Sequence, residues 1–261
     1  MRRAGLAAPL GGVLVTALVA VAAGGPPVAA HRGGALLWPE NSLTAFRGAL
    51  ALGVDLVELD VHLSRDGEAV VIHDPTLDRT TTGRGAVRDH TAAELAGVGV
   101  PRLREVLDLF RGVRAGLLLE IKVGVEGARY PGIEATVLAL LAETGLTDRT
   151  TVMAFEWDTL ERLRALSPAV RLAGLLSRRG AERLGGVRVA AERLQALGAN
   201  DLGIERTLLS GEAVAAARAA GLTIGVWTVN DPAELRAALG AGVDYVTTDR
   251  PDLALQLRRA P

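Results

Sequence analysis

Residues 57–74 read Val57-Glu58-Leu59-Asp60-Val61-His62-Leu63-Ser64-Arg65-Asp66-Gly67-Glu68-Ala69-Val70-Val71-Ile72-His73-Asp74. In an extended strand successive side chains point to opposite faces, so Glu58 and Asp60 share one face while Val57, Leu59 and Val61 share the other. Ser64-Arg65-Asp66-Gly67 has turn chemistry, and the apolar run 69–72 then delivers His73 and Asp74. Taken alone, the stretch suits an antiparallel hairpin with one face in water. What surrounds it points elsewhere.

Downstream the chain alternates short apolar runs with amphipathic segments. Strands are expected at 117–122, 150–154, 172–176, 199–204, 222–229 and 243–247, and helices at 133–143, 160–166, 181–197 and 212–220. This alternation indicates parallel βα units, and at 261 residues a (β/α)8 TIM barrel fits better than an open sheet. With 28–30, 57–61 and 69–72 there are nine strand candidates for eight places, so one is peripheral. Strands of a parallel sheet are covered on both faces and read as apolar runs. Glu58, Asp60, Glu120 and Lys122 break that rule together. In a barrel such groups at strand C-termini stand at the mouth, where the βα loops build the active site. Residues 62–68 are short for a parallel crossover, which takes a dozen residues or more. If Asp60 and His73 both reach the mouth, these seven must run down the barrel extended, spanning about 23 Å at about 3.3 Å each.

Composition narrows the chemistry. A hydrophobic content of 49% with 23% charged residues suits one domain with a large core. The formal net charge of −1, without a basic cluster, gives nucleic acid nothing to bind. The absence of cysteine excludes disulfides, thiolate metal sites and cysteine nucleophiles. Among 29 basic residues the only lysine is Lys122. Its retention in an arginine-rich chain suggests a place that needs a compact ammonium on a flexible stem. Residues 1–23 combine Arg2-Arg3 with an apolar stretch and small residues at Ala20, Ala22 and Ala23, the form of a secretory signal. The mature protein is therefore expected outside the cytoplasm, with an uncleaved N-terminal membrane anchor as the alternative, and no membrane insertion of residues 24–261.

Before the central stretch, His31-Arg32-Gly33-Gly34 follows the short apolar run 28–30. Glycines there let the backbone approach a ligand, and the two basic side chains suit an anion. Glu40-Asn41-Ser42 then leads into a helical pattern at Leu43, Phe46, Leu50 and Leu52, with Asn41 or Ser42 as N-cap. After it, residues 75–101 are polar and Gly-rich with at most a short helix at 91–95. Loops this long inside a domain are usually functional, and a lid is the expected role. A helix at 103–110 precedes the strand that pairs Glu120 with Lys122 on one face.

In order along residues 28–251, His31-Arg32-Gly33, Glu40-Asn41-Ser42, Glu58-Leu59-Asp60-Val61, Asp66-Gly67, His73-Asp74, Glu120-Ile121-Lys122, Val226-Trp227-Thr228-Val229-Asn230 and Thr248-Asp249-Arg250-Pro251 resemble the glycerophosphodiester phosphodiesterase family. The resemblance implies a TIM barrel of the phospholipase-C-like phosphodiesterase type that cleaves glycerophosphodiesters, such as glycerophosphocholine, to sn-glycerol 3-phosphate and an alcohol. By motif position it makes Glu58, Asp60 and Glu120 metal ligands, His31 and His73 the acid and base, and Arg32, Glu40, Asn41, Lys122 and Trp227 contacts to phosphate or substrate. Met153-Ala154-Phe155 departs from the family's usual Ser-Phe strand end, removing a hydroxyl there.

The residue chemistry agrees. Carboxylates without cysteine favour one hard divalent cation, Ca2+ or Mg2+. With Arg32 and Lys122 it would offset charge growing on a phosphodiester during displacement. Which histidine donates, and whether water or the substrate's own hydroxyl attacks, stay open. His62 and His90 carry no motif and read as surface or loop histidines. Two other functions are weighed: a phospholipase C- or D-like enzyme on lipid substrates, disfavoured by 3% aromatic content, and a barrel that binds phosphodiesters without turnover.

Overall fold

The computed structural model describes residues 24–259. The expected signal segment, residues 1–23, lies outside them. Strands β1 (Val28–Ala30) and β2 (Leu56–Leu63) flank helix α1 (Leu43–Leu52). The hairpin strand β3 (Ala69–Val71) and helices α2 (Ala92–Gly97) and α3 (Leu103–Asp108) follow. Six parallel strands come next: β4 (Gly116–Ile121), β5 (Thr150–Ala154), β6 (Arg171–Leu176), β7 (Asp201–Glu205), β8 (Thr223–Trp227) and β9 (Tyr245–Thr248). Between them run α4 (Ile133–Thr144), α5 (Trp157–Leu166), α6 (Arg178–Leu184), α7 (Val187–Leu197), α8 (Gly211–Ala219) and α9 (Pro232–Gly240), and α10 (Pro251–Arg259) closes the chain. Because β1 pairs in parallel with both β2 and β9, the eight parallel strands form a closed barrel. No helix among the described residues is long and apolar enough to cross a membrane.

The ninth strand is β3, and it corrects the expected path of residues 62–68. They do not run down the barrel. Strand β2 continues past the mouth, turns at Ser64-Arg65-Asp66-Gly67 and returns antiparallel, with Val61 opposite Val71 and Leu63 opposite Ala69. An antiparallel return needs only a tight turn, so the dozen-residue crossover never arises. The hairpin brings His73 back to the level of Asp60. Its outer side is covered: Val70, Ile72, Leu77, Val87, Ala92, Leu95 and Val100 form a separate apolar cluster under the 72–101 excursion. That excursion is anchored further by the Thr91 capping box at the start of α2.

A second correction concerns the helix expected at 181–197. It is two helices, α6 and α7, because Gly185 and Gly186 adopt φ of +90° and +105° and end the first one. The left-handed C-cap is a glycine's role, and the pair stood in the sequence. At the start of α1, Ser42 is the N-cap and accepts the Ala45 N–H, while Asn41 is left free for another purpose.

Side-chain parity places the polar groups. Val57, Leu59 and Val61 join the apolar layer between barrel and helices, which directs Glu58 and Asp60 inward. The inner layer is completed by Ala29, Leu118, Met153, Ala173, Leu175 and Tyr245. Tyr245 fits because its neighbour on β8 is Gly225, where a Cβ would lie 2.0 Å from the ring. The aromatic fills the barrel beneath the mouth.

Candidate active site

The register of β2 against β4 sets Asp60 beside Glu120 and Glu58 beside Leu118. The carboxylates of Glu58, Asp60 and Glu120, all buried, each offer an oxygen within 4.8 Å of the others. Three acids so close cannot all ionise without compensation. Burial, with Asp60 and then Glu120 nearby, pushes the Glu58 carboxyl well above the ordinary carboxylate range. Burial also raises Glu120, partly offset by Lys122. Burial opposes ionisation of Asp60 too, but Lys122, His73 and Arg32 outweigh it and hold Asp60 well below that range.

The compensating cations come from two loops. Lys122 Nζ lies 2.7 Å from Glu120 Oε1 and 3.5 Å from Asp60 Oδ1. Burial disfavours its charge, but Glu120 and Asp60 outweigh that and raise its pKa. Arg32 sits in the 3-10 turn His31–Gly33 with φ of 51°, in the left-handed region. This turns its N–H toward Glu58 Oε2 at 2.8 Å, while its guanidinium meets Glu40 Oε1 at 2.9 Å. Gly33 allows the turn to close on α1, since a Cβ there would meet the Ala45 Cβ at 2.8 Å.

Each of the two motif histidines is oriented by an acid. His31 Nδ1 is 2.7 Å from Asp249 Oδ1, and Asp249 in turn accepts the Asn230 amide at 2.6 Å. The other nitrogen, Nε2, stands 3.9 Å from Glu58. His73 Nδ1 is 2.7 Å from Asp74 Oδ1. Arg79, from the 72–101 excursion, clamps Asp74 and Glu40 together with hydrogen bonds of 2.6 to 3.0 Å to each. Burial works against charging both rings. Glu58 and Asp249 outweigh it at His31, whose pKa is raised, whereas at His73 burial prevails, aided by Lys122 and Arg32, and the pKa is lowered.

These groups line a cavity of about 160 Å3 at the C-terminal end of the strands. His31, Arg32, Glu58, His73, Glu120 and Lys122 form its polar wall. Met153, Phe155, Leu175, Trp227 and Tyr245 form the apolar wall opposite. Phe155 and Trp227 meet edge to face with centroids 5.4 Å apart, and Lys122 Nζ lies 5.9 Å from the Phe155 centroid. The indole N–H of Trp227, a residue that lines the cavity, is buried with no partner. Of the residues expected to touch substrate, Arg32, Lys122 and Trp227 line this cavity. Glu40 and Asn41 line a smaller one of about 30 Å3 behind His73. There Asn41, with φ of 55°, grips Asp60 by donating its amide to Oδ2 at 2.8 Å and accepting the Asp60 N–H at 3.3 Å.

The donor set fits a hard cation. Asp60 Oδ1 is buried and makes no hydrogen bond, with Lys122 Nζ 3.5 Å away, so it keeps lone pairs for a further cation. All three acids offer oxygen only, which suits Ca2+ or Mg2+ over a thiophilic metal.

Residues 31–253 match the model of the glycerophosphoryl diester phosphodiesterase family. The chain belongs to that family. It is 33% identical over 245 residues to the glycerophosphodiester phosphodiesterase of Caldanaerobacter subterraneus, covering 89% of this chain and 97% of the relative. The crystal structure of a glycerophosphodiester phosphodiesterase from Agrobacterium tumefaciens superposes with a TM-score of 0.74 at 31% identity, over 88% of this chain and 99% of that one. A phosphodiesterase of Oleispira antarctica, solved in complex with the product sn-glycerol-3-phosphate, superposes with a TM-score of 0.78 at 27% identity, over 90% of this chain and 98% of that one. The chain is accordingly a phosphodiester hydrolase, with the barrel mouth as its candidate active site.

Within this family member the sequence pattern left several site residues unassigned. Asp249 and Asn230 stood inside quoted motifs without a role, and Asp74 stood beside His73. Arg79 lay in the excursion, where an arginine among many carried no signal. His62 requires correction: it is neither a surface nor a loop residue but is fully buried on β2. Burial, only partly offset by its bond to the His73 carbonyl, lowers its pKa to about 4 and keeps it neutral. It shares the inward parity of Glu58 and Asp60, which was the available signal. His90 does lie in a loop, half-buried, against the Arg84 carbonyl at 3.0 Å.

Proposed function

We propose that this site hydrolyses soluble glycerophosphodiesters, glycerophosphocholine among them, to sn-glycerol 3-phosphate and an alcohol by paired histidine acid-base catalysis. The observation that carries the reading is that two histidines, each held by its own carboxylate at 2.7 Å, line one cavity with Glu58 and Glu120, two members of a buried carboxylate trio completed by Asp60. The product held by the Oleispira antarctica relative supports the choice of substrate. Arg32 and Lys122 orient the phosphate and offset its charge. The Trp227 N–H and the Phe155 ring face the organic part.

In the displacement a bond forms between phosphorus and the attacking oxygen while the bond to the departing alcohol oxygen breaks. One histidine takes the proton of the nucleophile and the other gives a proton to the leaving alkoxide. The raised pKa of His31 and the lowered pKa of His73 suit the first to hold a proton and the second to accept one. Asp249 and Asp74 each hold Nδ1 and so leave Nε2 for the reaction. Glu58, Asp60 and Glu120 would hold one Ca2+ or Mg2+. Such a cation supplies positive charge to the phosphate oxygens as negative charge grows.

The deciding experiment is glycerophosphocholine hydrolysis before and after chelation. Chelation should abolish turnover and either cation should restore it. Full turnover after verified metal removal would refute the metal assignment, and no turnover with any glycerophosphodiester, metal supplied, would favour a binding barrel. For residues 1–23 we propose a cleaved secretory signal, supported by Arg2-Arg3, the apolar stretch and Ala22-Ala23. The N-terminal mass of the exported protein tests it.

A further inference from the structure

One buried histidine is unused by this chemistry yet touches it. His62 lies on β2, two residues beyond Asp60, with no solvent exposure. Its Nε2 is 3.1 Å from the backbone oxygen of His73, and its Nδ1 is 2.8 Å from the Tyr130 hydroxyl. A carbonyl oxygen only accepts, so Nε2 must carry the hydrogen and donate it. Nδ1 is then a lone pair, and the Tyr130 O–H donates to it. The carbonyl thus selects the tautomer of His62, and the hydroxyl, which can donate or accept, conforms to it. The rings meet edge to face with centroids 5.5 Å apart, which fixes the plane of the imidazole as well.

The position of this bond matters more than its strength. Along the hairpin the Ile72 N–H donates to the Asp60 carbonyl at 3.1 Å. The His62 bond carries the anchoring one residue further, to His73 itself, beyond the end of β3. The side-chain contact of His73 with Asp74 sets the rotation of the ring but not the location of its backbone. Tyr130 comes from the loop between β4 and α4, the loop that begins with Lys122. The three residues therefore connect two separate loops of the mouth.

We propose that Tyr130 and His62 form a relay that fixes the backbone of the His73 turn, making His62 a positioning residue for proton transfer. The proposal rests on the reading of His73 as an acid-base group. A displacement of about 1 Å in a reacting group can cost on the order of a hundredfold in rate. The effect should fall on kcat, because neither Arg32 nor Lys122, the proposed phosphate contacts, is hydrogen-bonded to His62 or Tyr130; their side chains bond Glu40 and Glu120 instead.

The test compares His62→Leu, which fills the space without a donor, with His62→Gln, whose amide can donate to the same carbonyl, and with Tyr130→Phe. Each is assayed on glycerophosphocholine for kcat and KM, with inhibition by glycerol 3-phosphate and thermal melting alongside. His62→Leu should lose about tenfold or more in kcat, with KM and product inhibition near the parent. His62→Gln should recover most of the loss at a similar melting temperature. If His62→Leu fails to fold, Tyr130→Phe carries the test, since removing one hydroxyl should lower kcat with KM unchanged. Parent-like kcat in the folded variants, beside an inactive His73→Ala, would overturn the relay alone. Parent-like turnover in His73→Ala would overturn the role of His73 and the relay with it.

Discussion

Replacing Lys122 separates charge from shape at the centre of the site. Its ammonium contacts Glu120 at 2.7 Å and Asp60 at 3.5 Å, with 14% of the side chain exposed. In metal-free protein, Lys122→Ala would leave Glu120 without a cation. Removing one partner of a buried pair costs about 3–5 kcal/mol. Because Arg32 stays 3.5 Å from Asp60 and Lys122 is not fully enclosed, the lower end, about 3 kcal/mol, is expected. For a domain of this size that is a fall of about 6–12 °C in melting temperature. Lys122→Arg keeps the charge but spreads it over a planar fork that must fit between two acids beneath the Phe155 ring. Melting should change little, while kcat/KM for glycerophosphocholine should drop at least tenfold, about 1.4 kcal/mol. The two variants thus report different things, stability for one and geometry for the other. Parent-like kcat/KM in Lys122→Arg would remove the ammonium from the reacting site, and an unchanged melting temperature in Lys122→Ala would show that the acids do not depend on it.

Three further outcomes are expected. His31→Ala and His73→Ala should each lose about 10^2 to 10^4-fold in kcat, with folding intact by circular dichroism; a loss confined to KM would contradict a proton-transfer role. Gly225→Ala places a Cβ 2.0 Å from the Tyr245 ring, and overpacking of this kind costs about 1–3 kcal/mol or more; an unchanged melting temperature would show that the ring has room to move. Asp201, at the opposite end of the barrel, is bonded to Arg171 at 2.8 Å, and burial, partly offset by that arginine, pushes its carboxyl up to about 6. Since its folded pKa lies above the unfolded value of about 3.9, the folded state binds the proton more tightly. Its contribution to stability is present at low pH and is lost as pH rises through 6. Asp201→Asn, which imitates the protonated form, should therefore gain on the parent by about 2 kcal/mol between pH 4 and pH 7. Denaturant melts of both proteins at the two pH values check this, and a difference independent of pH would refute it.

The barrel and its polar mouth could be read from the chain because both follow from local pattern. Alternating strands and helices imply parallel pairing, and acids on strands that ought to be apolar stand out without any knowledge of the partners. Glu58, Asp60, Glu120 and Lys122 were found this way and do converge. The direction of β3 could not be found, because a short apolar run has the same pattern whether its partner runs parallel or antiparallel, and the partner is a long-range choice. For the same reason the grips of Asp249 on His31 and of Arg79 on Asp74 were out of reach. The first joins the ends of β1 and β9, the first and last strands of the barrel, and the second depends on the fold of the excursion that also carries Arg79 to Glu40, 39 residues away.

His62 is a different case, since nothing long-range was needed to place it. Face alternation assigns residue 62 to the side of Glu58 and Asp60, and an inward imidazole in a barrel must find partners or carry a large desolvation cost. The argument fails only if the strand ends at the mouth, as the strands of most barrels do. Here β2 runs on to Leu63, and β3 with Tyr130 closes over the extension, so the alternation holds beyond the catalytic level. Groups on that overhang face the underside of the His73 turn instead of the cavity. A residue of catalytic type can therefore act on the reaction through the backbone of the residue that performs it, and the strand that carries two proposed ligands also carries the support for the proposed base.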